Sequence, residues 1–157
     1  MKLKELFEEQ EKNFVLIVGG AGSGKNFHYE NVYKSKGYVL VDVDVMKQED
    51  GTSSAIAQIK HRLEDQFKLG VNVVNPGTGA NLKAVENKIK LAKEYGYLVT
   101  LVFVDTDLDK AKGYVKSRHQ SGGHDVPEYK IEKTHALCRQ NIEVLQHQVD
   151  IFKSINN

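Results

Sequence analysis

Residues 14–26 read FVLIVGGAGSGKN, an apolar run that passes into a glycine-rich turn and then a lysine. The apolar run at residues 14–18 is rich in β-branched side chains, which favours a strand buried on both faces in a parallel sheet. Glycines occupy four of the following positions, Gly19, Gly20, Gly22 and Gly24. Because glycine has no Cβ, the backbone can curl until several N–H groups point into one concavity, which suits an anion.

Lys25 follows Gly24 at the spacing GxxxxGK of the phosphate-binding P-loop. In that motif the lysine reaches the β and γ phosphates of a nucleotide lying on the N-terminus of the next helix. We expect the nucleotide to be bound by Gly19, Gly20, Ala21, Gly22, Ser23, Gly24, Lys25 and Asn26. Asn26 departs from the motif, in which Ser or Thr binds Mg²⁺, although an amide oxygen is also a ligand for this hard cation. The alternative is an ordinary glycine-rich turn with an accidental lysine.

The composition is that of a globular protein: 157 residues with 40% hydrophobic and 27% charged side chains fit one domain over residues 1–157. A formal net charge of +1 argues against a dedicated duplex-binding protein but permits a local basic groove. Cys138 is the only cysteine, which excludes an intramolecular disulfide and a cysteine-rich zinc site and favours a reducing compartment. We expect no membrane span, no signal peptide and a cytoplasmic location.

Two acidic residues lie in the second apolar run, YVLVDVDV at residues 38–45. Asp42 and Asp44 are two residues apart, so both would face one side of a strand. Ligands of open α/β sheets bind at the carboxyl ends of the strands, and we expect this run to end beside the P-loop. Asp44 is the candidate general base for an attacking hydroxyl, and Asp42 would position Lys25, Mg²⁺ or the base. Solvated acids that close the strand are the alternative.

Apolar runs of strand and helix type alternate along the rest of the chain. Strands are predicted at residues 14–18, 38–45, 71–74, 98–104 and 151–155. Helices are predicted at residues 2–11 and 26–34, from 56 to Gly70, from 82 to Gly96, from 106 past 118, and from Pro127 to 149. The alternation predicts an α/β fold, a three-layer P-loop NTPase of the nucleotide-kinase type with about five parallel strands.

Other residues receive specific predictions from their places in this pattern. Thr78 follows the third strand, so we expect it to face the ligand. Thr106 and Asp109 have the spacing of a capping box that opens a helix. Cys138 keeps helical spacing with apolar neighbours, which indicates a core residue rather than a nucleophile.

Arg118 lies near the end of a predicted helix, before the polar connector HQSGGHDVP at residues 119–127. A cation there would close over a transferring phosphoryl group as charge spreads over its oxygens. Lys116, His119 and His124 would assist, with His124 assigned to the substrate site beside Asp42 and Thr78. The alternatives are a solvated arginine favoured by the helix dipole and ordinary surface histidines.

Three segments resemble the zeta-toxin family: GGAGSGK at residues 19–25, VDVD at 41–44 and RHQSGGHDVP at 118–127. Their order also resembles the kinase domain of phage polynucleotide kinases, and the similarity spans roughly residues 14–155. The resemblance implies a P-loop kinase that uses ATP and Mg²⁺, with Asp44 as acceptor base and Arg118 as lid cation. Zeta toxins phosphorylate a sugar hydroxyl of UDP-N-acetylglucosamine and polynucleotide kinases a 5′ hydroxyl. The acceptor is therefore a small molecule, a nucleotide sugar or, less favoured, a nucleic-acid end.

The chain departs from these relatives at two positions near the expected metal. Asn26 replaces the hydroxyl residue, and Pro76 precedes Gly77 and Thr78 where relatives tend to have an acid. A non-catalytic nucleotide-binding or interaction module is therefore the alternative function. The segment that often holds adenine after the last strand of related kinases is absent, which predicts loose base recognition. A toxin role with an antitoxin-like protein partner follows from the resemblance alone.

Overall fold

The structure is a computed structural model that describes residues 11–42, 54–122 and 126–157. Its strands are β1 Asn13–Val18, β2 Val39–Leu40, β3 Val73–Gly77, β4 Leu98–Asp105 and β5 Ile151–Asn156. Its helices are α1 Lys25–His28, α2 Ser54–Leu69, α3 Leu82–Glu94, α4 Leu108–Gln120 and α5 Glu128–Leu145. In this described part, five parallel strands form one sheet in the order β2-β3-β1-β4-β5, which confirms the predicted α/β fold.

β1 is the central strand, and both of its faces are buried as the sequence predicted. Successive side chains of a strand point to opposite faces of the sheet. Phe14, Leu16 and Val18 therefore share one face with apolar residues of α2, α3 and α5. Val15 and Ile17 share the other face with Tyr29 and Tyr33, which follow α1. The sheet is thus the middle of three layers.

The helical segment after the P-loop lies where it was predicted, but it is irregular. α1 is a single α-helical turn, which a π-helical turn at Tyr29–Tyr33 and a 3₁₀ turn at Lys34–Lys36 continue. Both tyrosines that bound the π-helical turn are buried, and the Tyr29 hydroxyl donates to the Tyr38 carbonyl at 3.2 Å. π turns are rare and concentrate at functional sites, and this one follows the glycine-rich loop after the single turn of α1.

The second strand is shorter than predicted. Residues 38–45 were predicted as a strand ending beside the P-loop; of the described residues up to Asp42, only Val39–Leu40 form β2, which pairs with β3, and residues 43–45 lie outside the described part. β3 lies between β2 and β1, and its residues are buried, as expected for an inner strand. Asp44 lies outside the described residues, as do residues 1–10 of the predicted first helix.

The N-terminus of α4 corrects the predicted capping box. Asp107, not Thr106, caps the helix, and its carboxylate accepts from the Lys110 N–H at 3.4 Å. The Thr106 hydroxyl turns inward instead and donates to the Ser23 carbonyl at 2.7 Å. The Thr106 hydroxyl, which was predicted to cap the helix, therefore forms its hydrogen bond with a buried carbonyl of the P-loop instead.

The remaining elements agree with the sequence except at their ends. α2, α3, β4 and β5 cover the predicted segments, and α5 begins directly after Pro127 but ends before Val149. β3 runs on through Pro76, which β2 is too short to reach. Cys138 is 1% exposed and belongs to the core, as predicted. Among the described helices, none combines the length and the apolar character needed to cross a membrane.

Candidate functional site

The P-loop connects β1 to α1 and begins at the carboxyl end of the sheet. The Gly19 N–H donates to the Gly77 carbonyl at 3.2 Å, so the loop starts beside the end of β3. The Ser23 N–H donates to the Gly20 carbonyl at 3.1 Å and closes a turn. Gly24 has a φ of 93°, in the left-handed region that strains residues with a Cβ. The loop is therefore compact and tied to the neighbouring strand.

Several N–H groups of the loop, among them those of Gly22 and Gly24, are available for a ligand. Within the described part of the chain, the backbone N–H groups of Gly22 and Gly24 have no hydrogen-bond acceptor. Unsatisfied backbone donors at a P-loop are suited to the oxygens of a bound anion. A glycine-lined concavity with such donors fits the phosphates of a nucleotide.

Helix α5 holds the first half of the P-loop in place. The Ala21 N–H donates to Thr134 Oγ1 at 3.1 Å, and His135 Nε2 lies 2.9 Å from the Ala21 carbonyl oxygen. Since a carbonyl oxygen only accepts, His135 Nε2 must be the protonated nitrogen. The His135 ring also packs so closely over Gly20 that a Cβ at that position would collide with it. Both polar groups of the Ala21 backbone are therefore fixed by one helix.

The second half of the P-loop is held through the Ser23 carbonyl. That oxygen accepts from the Thr106 hydroxyl at 2.7 Å and from the Asn157 side-chain amide at 2.8 Å. Ser23 is 0% exposed and Thr106 is 1% exposed. One residue directly after β4 and one directly after β5 thus hold Ser23 in place, just before Gly24 and Lys25.

Lys25 extends back over the loop that precedes it. Its ammonium donates to the Gly19 carbonyl at 2.8 Å and to the Gly20 carbonyl at 3.2 Å, and it lies 3.5 Å from Ser23 Oγ. The Lys25 charge also acts on Cys138 of α5. Burial raises the pKa of the Cys138 thiol to about 11, and the Lys25 charge partly opposes this increase. The lysine therefore brings positive charge to the side of the loop that faces α5.

A small cavity adjoins the P-loop at the ends of β1 and β3. Its volume is about 110 Å³, and its lining includes Val18, Asn75, Thr78 and Lys88. The Asn75 amide donates to the Val41 carbonyl at 2.7 Å and accepts from the Lys88 ammonium at 2.9 Å. Asn75 thus links the end of β2 to helix α3.

Asp42 follows Val41 directly, is 9% exposed and contributes to the electrostatics of this cavity. Burial lowers the pKa of Lys88, and the Asp42 charge opposes that shift without cancelling it. Two predicted substrate residues, Asp42 and Thr78, therefore lie at the same end of the sheet as the P-loop. Lys88 joins them as a cation that the motifs did not indicate.

The model of a sequence family described as an AAA domain matches residues 14–141. The chain belongs to the AAA domain family. The match begins at the buried strand β1 and ends within α5, so it includes the P-loop and both helices that pack against it. A P-loop kinase fold of this kind implies nucleotide binding.

This AAA domain is 25% identical over 148 residues to a protein of Acanthamoeba polyphaga mimivirus described as a bifunctional polynucleotide phosphatase/kinase. The alignment covers 94% of this chain and 33% of the viral protein. The AAA domain therefore spans about a third of the length of this curated relative.

Two solved structures share the fold. A chain from the PezAT chromosomal toxin-antitoxin system of Streptococcus pneumoniae matches with a TM-score of 0.69 and 17% identity, over 95% of this chain and 70% of that one. A chain of the Pnkp1/Rnl/Hen1 RNA repair complex matches with a TM-score of 0.74 and 19% identity, over 86% and 47%. With the viral relative, they confirm the P-loop kinase fold and the predicted resemblance to toxin-like and polynucleotide-kinase-like proteins.

The other predicted residues of the AAA domain lie at its surface or outside the described ranges. Arg118 is exposed in the last turn of α4, as predicted, and Asn26 is exposed in α1. Lys116 and His119 are also exposed. His124, like Asp44, lies outside the described residues. The structure thus brings together the P-loop, Asp42 and Thr78.

Sequence reasoning missed Lys88, although the sequence contains a signal for it. Lys88 is three residues after Val85 and four before Ala92, both of which are buried on the core side of α3. A lysine at a core-side position of an amphipathic helix is a candidate functional residue. Thr134, His135 and Asn157 carried no such signal, because their partners in the P-loop lie more than 100 residues away.

A second, larger depression lies elsewhere on the AAA domain. It has a volume of about 540 Å³ and is lined by Glu86, Ile89, Lys90, Lys93, Glu94 and Gln148. It is open and includes none of the predicted site residues. The smaller cavity beside the P-loop is therefore the better candidate for a substrate site, because location and chemistry favour it over size.

Proposed function

We propose that this AAA domain is a phosphotransferase that moves the γ-phosphoryl group of ATP to a hydroxyl. The observation that carries the proposal is that the P-loop and the cavity at the ends of β1 and β3 are neighbours. They meet at the hydrogen bond from Gly19 to Gly77 and share the end of β1. Phosphoryl transfer needs a donor and an acceptor held side by side, and most of its catalysis is positioning and charge stabilisation.

The donor side would use the P-loop backbone and Lys25. The free N–H groups of Gly22 and Gly24 would bind phosphate oxygens. Lys25 now donates to neutral carbonyl oxygens, and phosphate oxygens are stronger acceptors because they are charged. ATP supplies the transferred group when it is bound. The lysine would therefore exchange its loop contacts for the nucleotide.

Two further residues are assigned to the donor side. Asn26 presents an exposed amide oxygen in α1, a hard donor that fits Mg²⁺. No group of three or more His, Cys, Asp or Glu side chains that would hold a metal is present among the described residues, so the ion would also need phosphate oxygens. Arg118 lies in the last turn of α4, and Ala21 of the loop packs against the apolar cluster that α4 and α5 form. Its guanidinium would stabilise charge on the transferring group.

The acceptor side would use the cavity and the acids that follow β2. Asp44 is proposed as the general base that takes the proton of the attacking hydroxyl. Asp42, Thr78 and His124 are proposed to orient the acceptor. The viral relative supports a nucleic-acid end as acceptor, whereas the net charge of +1 favours a small molecule or nucleotide sugar.

A non-catalytic nucleotide-binding module is the second candidate, and Asn26 is the observation that favours it. Such a protein would bind nucleotide through the P-loop without transferring phosphate. An antitoxin-like partner is a further proposal, supported by the fold likeness to a chain of a toxin-antitoxin system. Strong expression of the intact protein tests it, since unimpaired growth of the host contradicts a toxin role.

Calorimetric titration with ATP, with and without Mg²⁺, tests the donor site. We expect saturable binding that Mg²⁺ tightens and that Lys25→Ala abolishes. Lys34→Ala is the matched control, because Lys34 is exposed in the same helical segment and pairs only with Glu30 there. Transfer from γ-labelled ATP to nucleosides, nucleotide sugars and 5′-hydroxyl oligonucleotides then separates the two candidates. Binding without any transfer would favour the non-catalytic module, and absence of binding would contradict both.

A further inference from the structure

Lys88 has an unusual environment for a lysine. Its ammonium has three N–H donors. Within the described part of the chain, it makes one hydrogen bond, to Asn75 Oδ1 at 2.9 Å. No carboxylate oxygen of a described residue lies within 4.0 Å of it; Asp42 acts on Lys88 from farther away. The side chain is nevertheless half-buried in the wall of the cavity.

This environment is unfavourable for a positive charge in the free protein. A charge removed from water needs an ion pair or several hydrogen bonds to offset its lost hydration. Burial lowers the Lys88 pKa in spite of Asp42, so the available partners do not fully compensate the charge. A negatively charged ligand would supply the missing partner.

The neighbouring residues hold the ammonium in a fixed position. Asn75 is 1% exposed, and its own amide is fixed by the Val41 carbonyl at 2.7 Å. Its Oδ1 atom therefore has little freedom and directs Lys88 into the cavity. Preorganised donors of this kind are typical of anion sites that work in a partly dry environment.

The size of the cavity limits what Lys88 can contact. The cavity has a volume of about 110 Å³, which is space enough for a group of several atoms such as a phosphate. The ligand would place an anionic group beside Lys88 and leave its larger part outside.

We propose that Lys88 binds a phosphate group of the acceptor and so makes the enzyme selective for acceptors that already carry phosphate. The proposal rests on the proposed phosphotransferase function and specifies its substrate class. A phosphodiester next to a nucleic-acid end and the diphosphate of a nucleotide sugar share this chemistry. Lys88 would act as a specificity residue and lower KM for phosphorylated acceptors. Lys25, not Lys88, would bind the phosphoryl group that is transferred.

Phosphate binding is testable without catalysis. The probe is inorganic phosphate, and the readout is the NMR signal of the Asn75 side-chain amide, which contacts Lys88 directly. We expect a saturable shift of this signal in the wild type and in Lys25→Ala, which removes the P-loop cation. Lys88→Met, which keeps the length of the side chain without its charge, should abolish the shift. Lys90→Met is the matched control, since Lys90 is exposed on the same helix.

Each outcome of this titration has a defined meaning. A shift that Lys25→Ala abolishes and Lys88→Met retains would assign the phosphate to the P-loop and overturn the proposal. An Asn75 signal that does not respond in the wild type would overturn it as well. Urea unfolding controls for a structural role, because Lys88→Met leaves the buried Asn75 Oδ1 atom without its donor and is expected to lower stability. Lower stability together with unchanged phosphate binding would identify Lys88 as a structural residue only.

The source of the phosphate requires transfer assays. Thymidine 3′-monophosphate is compared with thymidine, and UDP-N-acetylglucosamine with N-acetylglucosamine. We expect one phosphorylated member to be preferred in kcat/KM by tenfold to hundredfold, and Lys88→Met to remove that preference mainly through KM. The pair that shows the preference identifies the source. Equal rates for both members of both pairs would overturn the selectivity. Absence of transfer to all four would contradict the proposed function and leave the phosphate titration to decide on Lys88.

Discussion

The Ser23 carbonyl allows a quantitative test of how the P-loop is held. Its oxygen accepts from the Thr106 hydroxyl at 2.7 Å and from the Asn157 amide at 2.8 Å, and Ser23 is 0% exposed. Thr106→Val removes the hydroxyl with little change of shape, and Asn157→Ala removes the other donor. Each single change leaves the oxygen one partner, so we expect each to lower the free energy of unfolding by about 0.5–1.5 kcal/mol.

The double variant should lose more than the sum of the single variants. Without either donor, a buried carbonyl oxygen has no partner, which costs about 1–3 kcal/mol. That cost appears only when both donors are removed. We therefore expect a coupling energy of about 1–2 kcal/mol between Thr106 and Asn157, beyond the additivity seen for independent sites.

Urea unfolding of the four proteins at equal m-values measures this coupling. Ser121→Ala is the control, because the Ser121 hydroxyl donates to the Ser117 carbonyl at an exposed position and should contribute less than about 0.5 kcal/mol. The reasoning would be refuted if the losses of unfolding free energy in the two single variants add up to the loss in the double variant within about 0.3–0.5 kcal/mol. Additivity would mean that water replaces the lost donors and that the carbonyl is not isolated from solvent.

Three further predictions concern the same region. Gly20→Ala should lower the free energy of unfolding by about 1–3 kcal/mol because its Cβ collides with the His135 ring. Adding His135→Ala to this variant should restore part of the loss. If urea unfolding shows no such restoration, the collision with His135 is not the cause. The Cys138 pKa is raised to about 11 from its ordinary value of 9.0, so its contribution to stability should be full below pH 9 and lost as the pH rises towards 11. Urea unfolding against pH should show a larger loss in the wild type than in Cys138→Ala, in which buried tyrosines with raised pKa values still titrate. Asn26→Ser should raise phosphoryl transfer several-fold with little change in ATP affinity if the amide limits Mg²⁺ binding; unchanged transfer would remove Asn26 as an objection to catalysis.

The sequence predicted those parts of the fold that depend on local patterns. The apolar run before Gly19 and the GxxxxGK spacing predicted a buried strand that leads into a phosphate-binding loop. β1 and the turn after it have that form because both depend on neighbouring residues: β-branched side chains favour the strand and glycines permit the turn. The helical spacing of Cys138 likewise predicted its burial.

The sequence failed where contacts join distant segments. Residues 38–45 were predicted as one strand, but within the described residues only Val39–Leu40 form β2, and periodicity does not determine the strand order, in which β3 lies between β2 and β1. Thr106 has the spacing of a helix cap, yet it donates to Ser23, which is 83 residues away in the chain. Hydrogen bonds between distant segments depend on the assembled fold and leave no spacing pattern to detect.

These distant contacts explain how the loop can be ready for phosphate before phosphate arrives. Thr134 and His135 fix both polar groups of Ala21, while Thr106 and Asn157 fix the Ser23 carbonyl. Glycine alone would leave the loop free to adopt many conformations, and a ligand would have to offset the entropy of ordering it. Because α5, β5 and the start of α4 order the loop during folding, that cost is already met by the stability of the domain. The N–H groups that remain without acceptors can then be used for the nucleotide, which is the condition for electrostatic preorganisation.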